Sequence, residues 1–299
     1  MFADMKTNRD DVIAAYRIFL DREPENDSLL DCWVAKAETT SELRHHFLGS
    51  EEYIRKNPMA GLVDAALQSK KLFEELAPCI GESYRSILHF ARQIIIKKFL
   101  PPAEIVLDLG GANSPLHRMG YPHNFKKLTI IDLPVKERDE KYQVKLLEEN
   151  GNVVIRYHDM TDLDGIENES VDLVWAGQSI EHVDQNLGQK MCRAAYRVLK
   201  KGGNFCLDTP NRLVTKLHTA LTGGGFTSND HLLEYTPEEL RKTLKGSGFE
   251  IINELGICEM PLTVATQSFH FGDFLIGGLI TRNIGDAYYQ YFHCKKPIH

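Results

Sequence analysis

The chain has 299 residues, of which 42% are hydrophobic and 26% are charged, a balance typical of a globular protein that buries a core. Its net charge of −7 argues against nucleic acid as a partner, because a polyanion is bound by a basic surface. The six cysteines stand singly, without the close pairs of a zinc site or disulfide framework.

Two further features concern localisation. The N-terminal letters MFADMKTNRDD lack the apolar core of a secretory signal peptide. The most apolar late stretch, 269–280, is interrupted by His270 and Asp273 and is too short to span a bilayer. We therefore expect a cytoplasmic protein without a membrane span.

Residues 1–57 predict a small helical accessory module. Apolar residues recur at helical spacing from Val12 to Leu20, and a polar run then breaks the pattern. Thr39 and Glu42 form a capping box for a further helix. The string YRIFLDREPENDSLLDCWVAKAETTSELRHHFLGSEEY resembles bacterial helical domains similar to phycobilisome-linker repeats. The resemblance implies a docking module of the kind attached to surface-polysaccharide enzymes, with no chemistry of its own.

The rest of the chain divides into two parts. Residues 58–103 predict connecting helices that end at Pro101-Pro102. From 104 to 299 short apolar runs alternate with helical or loop segments, which indicates a parallel sheet covered by helices on both faces. The predicted strands are 105–109, 128–131, 153–157, 171–175, 205–207, 249–255 and 288–294.

The segment AEIVLDLGGANSPLHRMG, residues 103–120, has the features of a ligand-binding turn. A strand ends at Asp108, and Gly110 and Gly111 allow a ligand to approach the backbone closely. Ser114-Pro115 predicts the start of a helix. The frame lacks the second and third glycines of G-x-G-x-x-G, which argues against a dinucleotide. The acidic residue two positions before the first glycine suits a ligand that carries an ammonium and a sulfonium.

Five motifs follow one another in order, namely VLDLGGANSP, IIDLP, YHDMTDL, VDLVWAGQSIEHV and RVLKKGGNFCLDTPNR. Together they resemble the ordered motifs of class I S-adenosylmethionine-dependent methyltransferases across residues 85–255. The resemblance implies a Rossmann-like α/β sheet of seven strands, the last of them antiparallel, with S-adenosylmethionine as cofactor. One departure is that Ala112 and Ser114 occupy two glycine positions of the family's usual loop.

The same resemblance implies a set of cofactor-binding residues: Asp108, Gly110, Gly111, Asn113, Asp132, Leu133, Asp159, Met160 and Gln178. The first three would line the methionine portion. Asp132 would hold the ribose hydroxyls, with Leu133 beside the adenine. Asp159 would accept from the adenine amino group, with Met160 packed on the ring, and Gln178 would face the methionine end.

Two of the twelve histidines are candidate catalytic residues. A hydroxyl acceptor must lose a proton, and a histidine with a near-neutral pKa can accept it. His182 follows the fourth predicted strand in QSIEHVD, and His231 lies in SNDHLLEYTPEEL, before a helix opened by Thr236 and Glu239. Each is a candidate base, and the alternative for His182 is that it only buttresses its loop.

Metal assistance is a further alternative, since the loops carry several carboxylates and His182. Relatives that use a metal have a glutamate three residues before the position of Glu181, whereas this chain has Gln178. We therefore expect a solvated acidic loop and no metal ligands.

These observations predict a small all-helical module followed by a class I methyltransferase domain. The expected reaction is O-methylation of a carbohydrate hydroxyl, in a glycan or a sugar nucleotide. A small phenol, quinol or amine is the alternative acceptor. The alternative from another class is a non-catalytic cofactor-binding scaffold that docks a partner through the N-terminal module. A homo-oligomer is compatible with the sequence.

Overall fold

The computed structural model describes residues 6–48, 50–56, 83–111, 114–137 and 151–298. The chain forms two compact units, Met1–Leu76 and Ala77–His299. The predicted connecting segment 58–103 is described only from residue 83, where a long helix of the second unit begins.

The first unit contains four described helices: α1 Arg9–Leu20, α2 Asp27–Lys36, α3 Thr40–Leu48 and α4 Glu51–Lys56. Asn8 and Asn26 cap the first two helices with their side chains. Tyr16, Phe47 and Trp33 pack together in the small core, and the Trp33 indole donates to the Tyr16 hydroxyl at 3.2 Å. The predicted short helices are therefore confirmed, and one buried aromatic cluster holds them together.

The second unit is an eight-stranded sheet in the order β3-β2-β1-β4-β5-β8-β6-β7. Its strands are β1 Ile105–Leu109, β2 Lys127–Asp132, β3 Val153–Tyr157, β4 Val171–Gly177, β5 Leu199–Pro210, β6 Glu250–Glu259, β7 Ile280–Thr281 and β8 Ala287–Lys295. The first five are parallel, and β8 is antiparallel to both β5 and β6.

Helices cover both faces of this sheet. They are α5 Ser83–Phe99, α6 Gln185–Val198, α7 Arg212–Thr219, α8 Pro237–Gly246, α9 Pro261–Thr266 and α10 Asp273–Ile276. Alternate strand residues enter opposite cores, so that Val106 packs with α5 whereas Leu107 packs with α6 and α8. The predicted α/β fold, including its antiparallel last strand, is confirmed.

Three details differ from the sequence prediction. β5 runs from Leu199 to Pro210, well beyond the predicted 205–207. The two-residue β7 adds an eighth strand by pairing with Gly256 and Ile257 of β6. Ser114-Pro115 begins only a single turn at 116–120, in which the Met119 N–H donates to the Pro115 carbonyl at 3.0 Å, and no helix follows. In the described ranges, no helix combines the length and apolar character that crossing a membrane requires.

The sheet order indicates that a ligand site lies at the carboxyl ends of the strands. The chain goes outward from β1 to β3 on one side and continues from β4 on the other. Ligands of open α/β sheets bind beyond the carboxyl ends of the strands at such a reversal. Asp108, Asp132, Gln178 and Thr209 all lie at or just after those carboxyl ends.

Candidate active site

Asp108, near the end of β1, is a buried carboxyl with an unusual environment. One of its oxygens, Oδ2, accepts a hydrogen bond from the Leu116 N–H at 2.7 Å. The other, Oδ1, is buried and has no hydrogen-bond partner among the described residues. Burial raises the pKa of this carboxyl to about 7. A buried polar oxygen without a partner is costly, so this atom points to a ligand that donates to it.

Gly110 and Gly111 stand beside Asp108 for steric reasons. Gly110 has φ +70°, and a Cβ there would lie 2.7 Å from the Ser179 Oγ. A Cβ on Gly111 would lie 2.3 Å from the Asp108 Oδ2. Any side chain would therefore displace the neighbouring polar groups. The predicted ligand Asn113 and its neighbour Ala112 lie outside the described residues.

The next two strands place a carboxylate each at the same edge of the sheet. Asp132 ends β2, is half-buried and accepts from the Leu133 N–H at 2.7 Å. Asp159 follows β3 and accepts from the Thr161 N–H at 2.7 Å. Met160, beside it, is half-buried and packs against the second core. The structure thus brings these predicted cofactor residues to neighbouring strand ends.

Gln178, the residue after β4, is held by a buried ion pair that the sequence analysis missed. Its side chain donates to Asp208 Oδ1 at 3.1 Å, and its backbone has φ +56°. Asp208 is fully buried and accepts from the Arg92 Nε at 2.8 Å. Arg92 comes from α5, where it interrupts the apolar face of Leu88 and Ala91. An arginine within the apolar face of a helix is the sequence signal that could have indicated a buried ion pair here.

Ser179 fixes the turn that carries the next functional residues. Its hydroxyl donates to the Leu109 carbonyl at 2.7 Å, so the ends of β1 and β4 are joined. The short turn Ile180–His182 follows directly. The Glu181 carbonyl then accepts from the Leu232 and Leu233 N–H groups at 2.8 and 3.1 Å. These backbone bonds bring the loop of His231 against the turn of His182.

The two predicted histidines meet in a three-residue cluster with Glu181. Their rings are 5.0 Å apart between centroids and nearly perpendicular. One potential ligand atom from each of Glu181, His182 and His231 lies within 4.8 Å of the others. The fully buried Glu181 accepts from the Thr209 hydroxyl at 2.8 Å through Oε2. Its Oε1 is buried and unpartnered among the described residues.

Each imidazole of this cluster is oriented by a carboxylate. His231 Nδ1 lies 2.8 Å from the buried Glu234 Oε1, and His182 Nδ1 lies 3.3 Å from Asp230 Oδ2. Carboxylate and carbonyl oxygens only accept, so each Nδ1 donates, His231 to Glu234 and His182 to the Asp230 carbonyl, and in the neutral ring Nε2 carries the lone pair. Glu234 itself also accepts from Thr215 and Thr227. The sequence analysis did not single out Glu234.

The charges of the cluster are coupled. Burial lowers the pKa of His231, but the hydrogen bond to Glu234 and the charge of Glu181 outweigh it, so the pKa is raised. Burial raises the pKa of Glu181, against the opposing effect of His182 and His231. The cluster is thus partly desolvated and rich in carboxylates. In it each imidazole can accept a proton from an acceptor hydroxyl or bind a cation.

Part of the chain is similar in sequence to known methyltransferases. Residues 107–207 match the family model described as a methyltransferase domain. A protein of Mycolicibacterium smegmatis named "Probable S-adenosylmethionine-dependent methyltransferase" is 32% identical over 137 residues, which are 45% of this chain and 49% of that protein. The matched part therefore spans about half the length of that curated relative.

A solved structure supports the same fold. A chain from the complex between the Haloferax volcanii Trm112 methyltransferase activator and a methyltransferase aligns with a TM-score of 0.50 at 16% identity, over 73% of this chain and 92% of that one. An S-adenosylmethionine-dependent methyltransferase of Thermotoga maritima aligns with a TM-score of 0.48 at 16% identity, over 76% and 99%. The second unit has the α/β methyltransferase fold.

Proposed function

We propose that this protein, whose residues 107–207 match a methyltransferase domain and which resembles a probable S-adenosylmethionine-dependent methyltransferase, methylates a hydroxyl group, and that the hydroxyl belongs to a carbohydrate. The observation that carries the methyl-transfer proposal is the cradle at the end of β1. There Asp108 Oδ1, which is buried and has no hydrogen-bond partner among the described residues, lies beside a turn in which two glycines leave no room for a side chain.

The described residues fit S-adenosylmethionine. Asp108 offers a carboxylate to the methionine ammonium, and Gly110 and Gly111 permit close approach of the ligand. Asp132 offers an acceptor for the ribose hydroxyls. Asp159 offers an acceptor for the adenine amino group, and Met160 offers an apolar side chain to pack on the ring. Bound there, S-adenosylmethionine supplies an electrophilic methyl group on a positively charged sulfur.

The reaction balances with the loss of one proton. A bond would form between the acceptor oxygen and the methyl carbon while the carbon–sulfur bond broke, which would leave the sulfur as a neutral thioether. The acceptor proton has to leave, and the cluster of Glu181, His182 and His231 is the part of this chain suited to promote that loss. A histidine does so either as a base or as the ligand of a cation that acidifies the hydroxyl.

Two features support a carbohydrate acceptor. The net charge of −7 does not favour a polyanion. The helical first unit resembles modules attached to surface-polysaccharide enzymes, and we propose that it docks the acceptor polymer or its carrier. It forms a core of its own around Tyr16 and Phe47, as an accessory module requires.

Replacing Asp132 by alanine tests the cofactor assignment. Hydrogen bonds to charged groups contribute about 1.5–3 kcal/mol, so the affinity for S-adenosylmethionine should fall at least about tenfold. Titration calorimetry on the full chain measures this. Asp164→Ala, which removes an exposed carboxylate after β3, is the matched control and should bind like the wild type. Equal affinity of the Asp132 variant would remove the ribose contact from the proposal.

A panel of acceptors tests the reaction. We expect the full chain to methylate glycan fragments or sugar nucleotides, with a lower KM for longer glycans if the first unit docks the polymer. Turnover restricted to phenols, quinols or amines would refute the carbohydrate assignment and leave methyl transfer standing. Tight binding of S-adenosylmethionine without turnover of any acceptor would instead favour the non-catalytic scaffold.

A further inference from the structure

The cluster of Glu181, His182 and His231 has the features of an incomplete coordination sphere. Three potential ligand atoms converge within 4.8 Å, yet among the described residues no hydrogen bond or ion pair joins Glu181 to either imidazole. If the three side chains only bound one another, Glu181 would lie within hydrogen-bond distance of at least one imidazole. The separation instead leaves room between the three side chains for an ion.

Glu181 provides an independent observation. Its side chain is fully buried, Oε2 is satisfied by Thr209, and Oε1 lacks a partner among the described residues. A buried carboxylate oxygen without a donor is strongly disfavoured unless a cation or a ligand completes it. The unpartnered oxygen belongs to the same three-residue cluster, so a cation among the three side chains would remove the deficit.

Neighbouring oxygen atoms orient both imidazoles as metal ligands would be oriented. Metal-bound histidines commonly donate their second N–H to a carboxylate or carbonyl, which fixes the ring and its tautomer. His231 does so to Glu234, and His182 lies against the carbonyl and carboxylate of Asp230. With Glu181, these carboxylates also supply the negative charge that a divalent cation requires.

We propose that Glu181, His182 and His231 bind one divalent transition-metal ion beside the acceptor site. Two imidazoles and one carboxylate favour Zn²⁺ or Mn²⁺ over Mg²⁺, which prefers oxygen ligands. Three protein ligands leave positions for the acceptor oxygen, so the ion would acidify the hydroxyl that is methylated. This role rests on the proposed function, whereas the binding of the ion does not.

The expectation from Gln178 was the opposite, because metal-using relatives have a glutamate at that position. The Gln178 side chain donates to Asp208, and His231, which lies 53 residues after Gln178 in the chain, joins Glu181 and His182 instead. The predicted acidic loop did not include His231, and the ligand set therefore differs from the one that the sequence analysis considered.

Titration of the metal-free full chain, without any affinity tag, tests the site. We expect one equivalent of Mn²⁺, followed by electron paramagnetic resonance, and of Zn²⁺, followed by calorimetry, to bind at least about tenfold more tightly than Mg²⁺. Glu181→Gln should weaken Mn²⁺ binding by at least about tenfold, and Glu234→Gln, which alters the partner of His231 but none of the three proposed ligands, by about 10–100-fold. His123→Ala, beside the Leu100 carbonyl and outside the cluster, is the control.

S-adenosylmethionine affinity and circular dichroism of each variant check that it is folded, and Glu234→Gln provides a second test if Glu181→Gln is not. Equal metal binding by the wild type and both variants, or no binding by the wild type, overturns the proposal. Turnover that survives EDTA in a chain that binds no metal refutes the ion while methyl transfer stands. A chain that binds Mn²⁺ but neither binds S-adenosylmethionine nor turns over refutes the proposed function and leaves the metal site.

Discussion

Replacement of Arg92 by methionine is expected to lower the free energy of unfolding of the second unit by about 3–5 kcal/mol. Arg92 and Asp208 form an ion pair at 2.8 Å with side chains 9% and 0% exposed. Removing the guanidinium leaves Asp208 charged and buried, with Gln178 as its remaining described side-chain partner. At this size of domain the melting temperature should fall by about 6–20 °C, as followed by differential scanning calorimetry.

A second pair provides the control for this prediction. Lys126 and Glu104 lie at a similar distance, 2.7 Å, but their side chains are 70% and 63% exposed. Lys126→Met should therefore change the stability by less than about 1 kcal/mol. The double replacement Arg92→Met with Asp208→Asn should recover part of the loss, because no unpaired charge remains. Equal melting temperatures for the Arg92 and Lys126 single variants would contradict a structural role of the buried pair.

The fold could be predicted because its sequence signals are local. β1, β2 and β4 are short, mostly buried runs of largely apolar residues, and runs of this length that recur between helical segments predict a parallel sheet. Thr236 and Glu239 form the predicted capping box of α8. The strand β7 could not be predicted, since two residues, Ile280 and Thr281, carry no periodicity and depend on pairing with β6.

The site was predictable only where a residue's position follows from its strand. Asp108 and Asp132 lie at strand ends, so the topology alone brings them together. Arg92 and Asp208 are 116 positions apart, and no local pattern indicates that they pair. The approach of His231 to His182 likewise depends on backbone hydrogen bonds from Leu232 and Leu233 to Glu181. No local sequence pattern predicts these bonds. The cofactor roles and the histidine roles stay predictions until they are measured.

The largest expected effect on activity follows from His231. Its side chain is 9% exposed, its Nδ1 is bound to Glu234, and it faces His182 and Glu181. As a base it would accept the acceptor proton, and as a metal ligand it would hold the ion that acidifies the hydroxyl; both actions require the neutral ring. His231→Ala should therefore lower kcat by about 10²–10⁴-fold, measured with any acceptor that the wild type methylates.

The affinity for S-adenosylmethionine separates this effect from unfolding. The proposed cofactor residues lie at or just after the carboxyl ends of β1, β2, β3 and β4, whereas His231 belongs to the loop between α7 and α8, so the His231 variant should bind the cofactor as the wild type does. His182→Ala provides the comparison: a catalytic His182 should lose activity on the same scale, whereas a buttressing one should lose much less. His123→Ala should retain full activity. If His231→Ala kept its rate within about threefold while binding cofactor normally, general-base and metal-ligand roles would both be excluded, because either supplies a far larger factor.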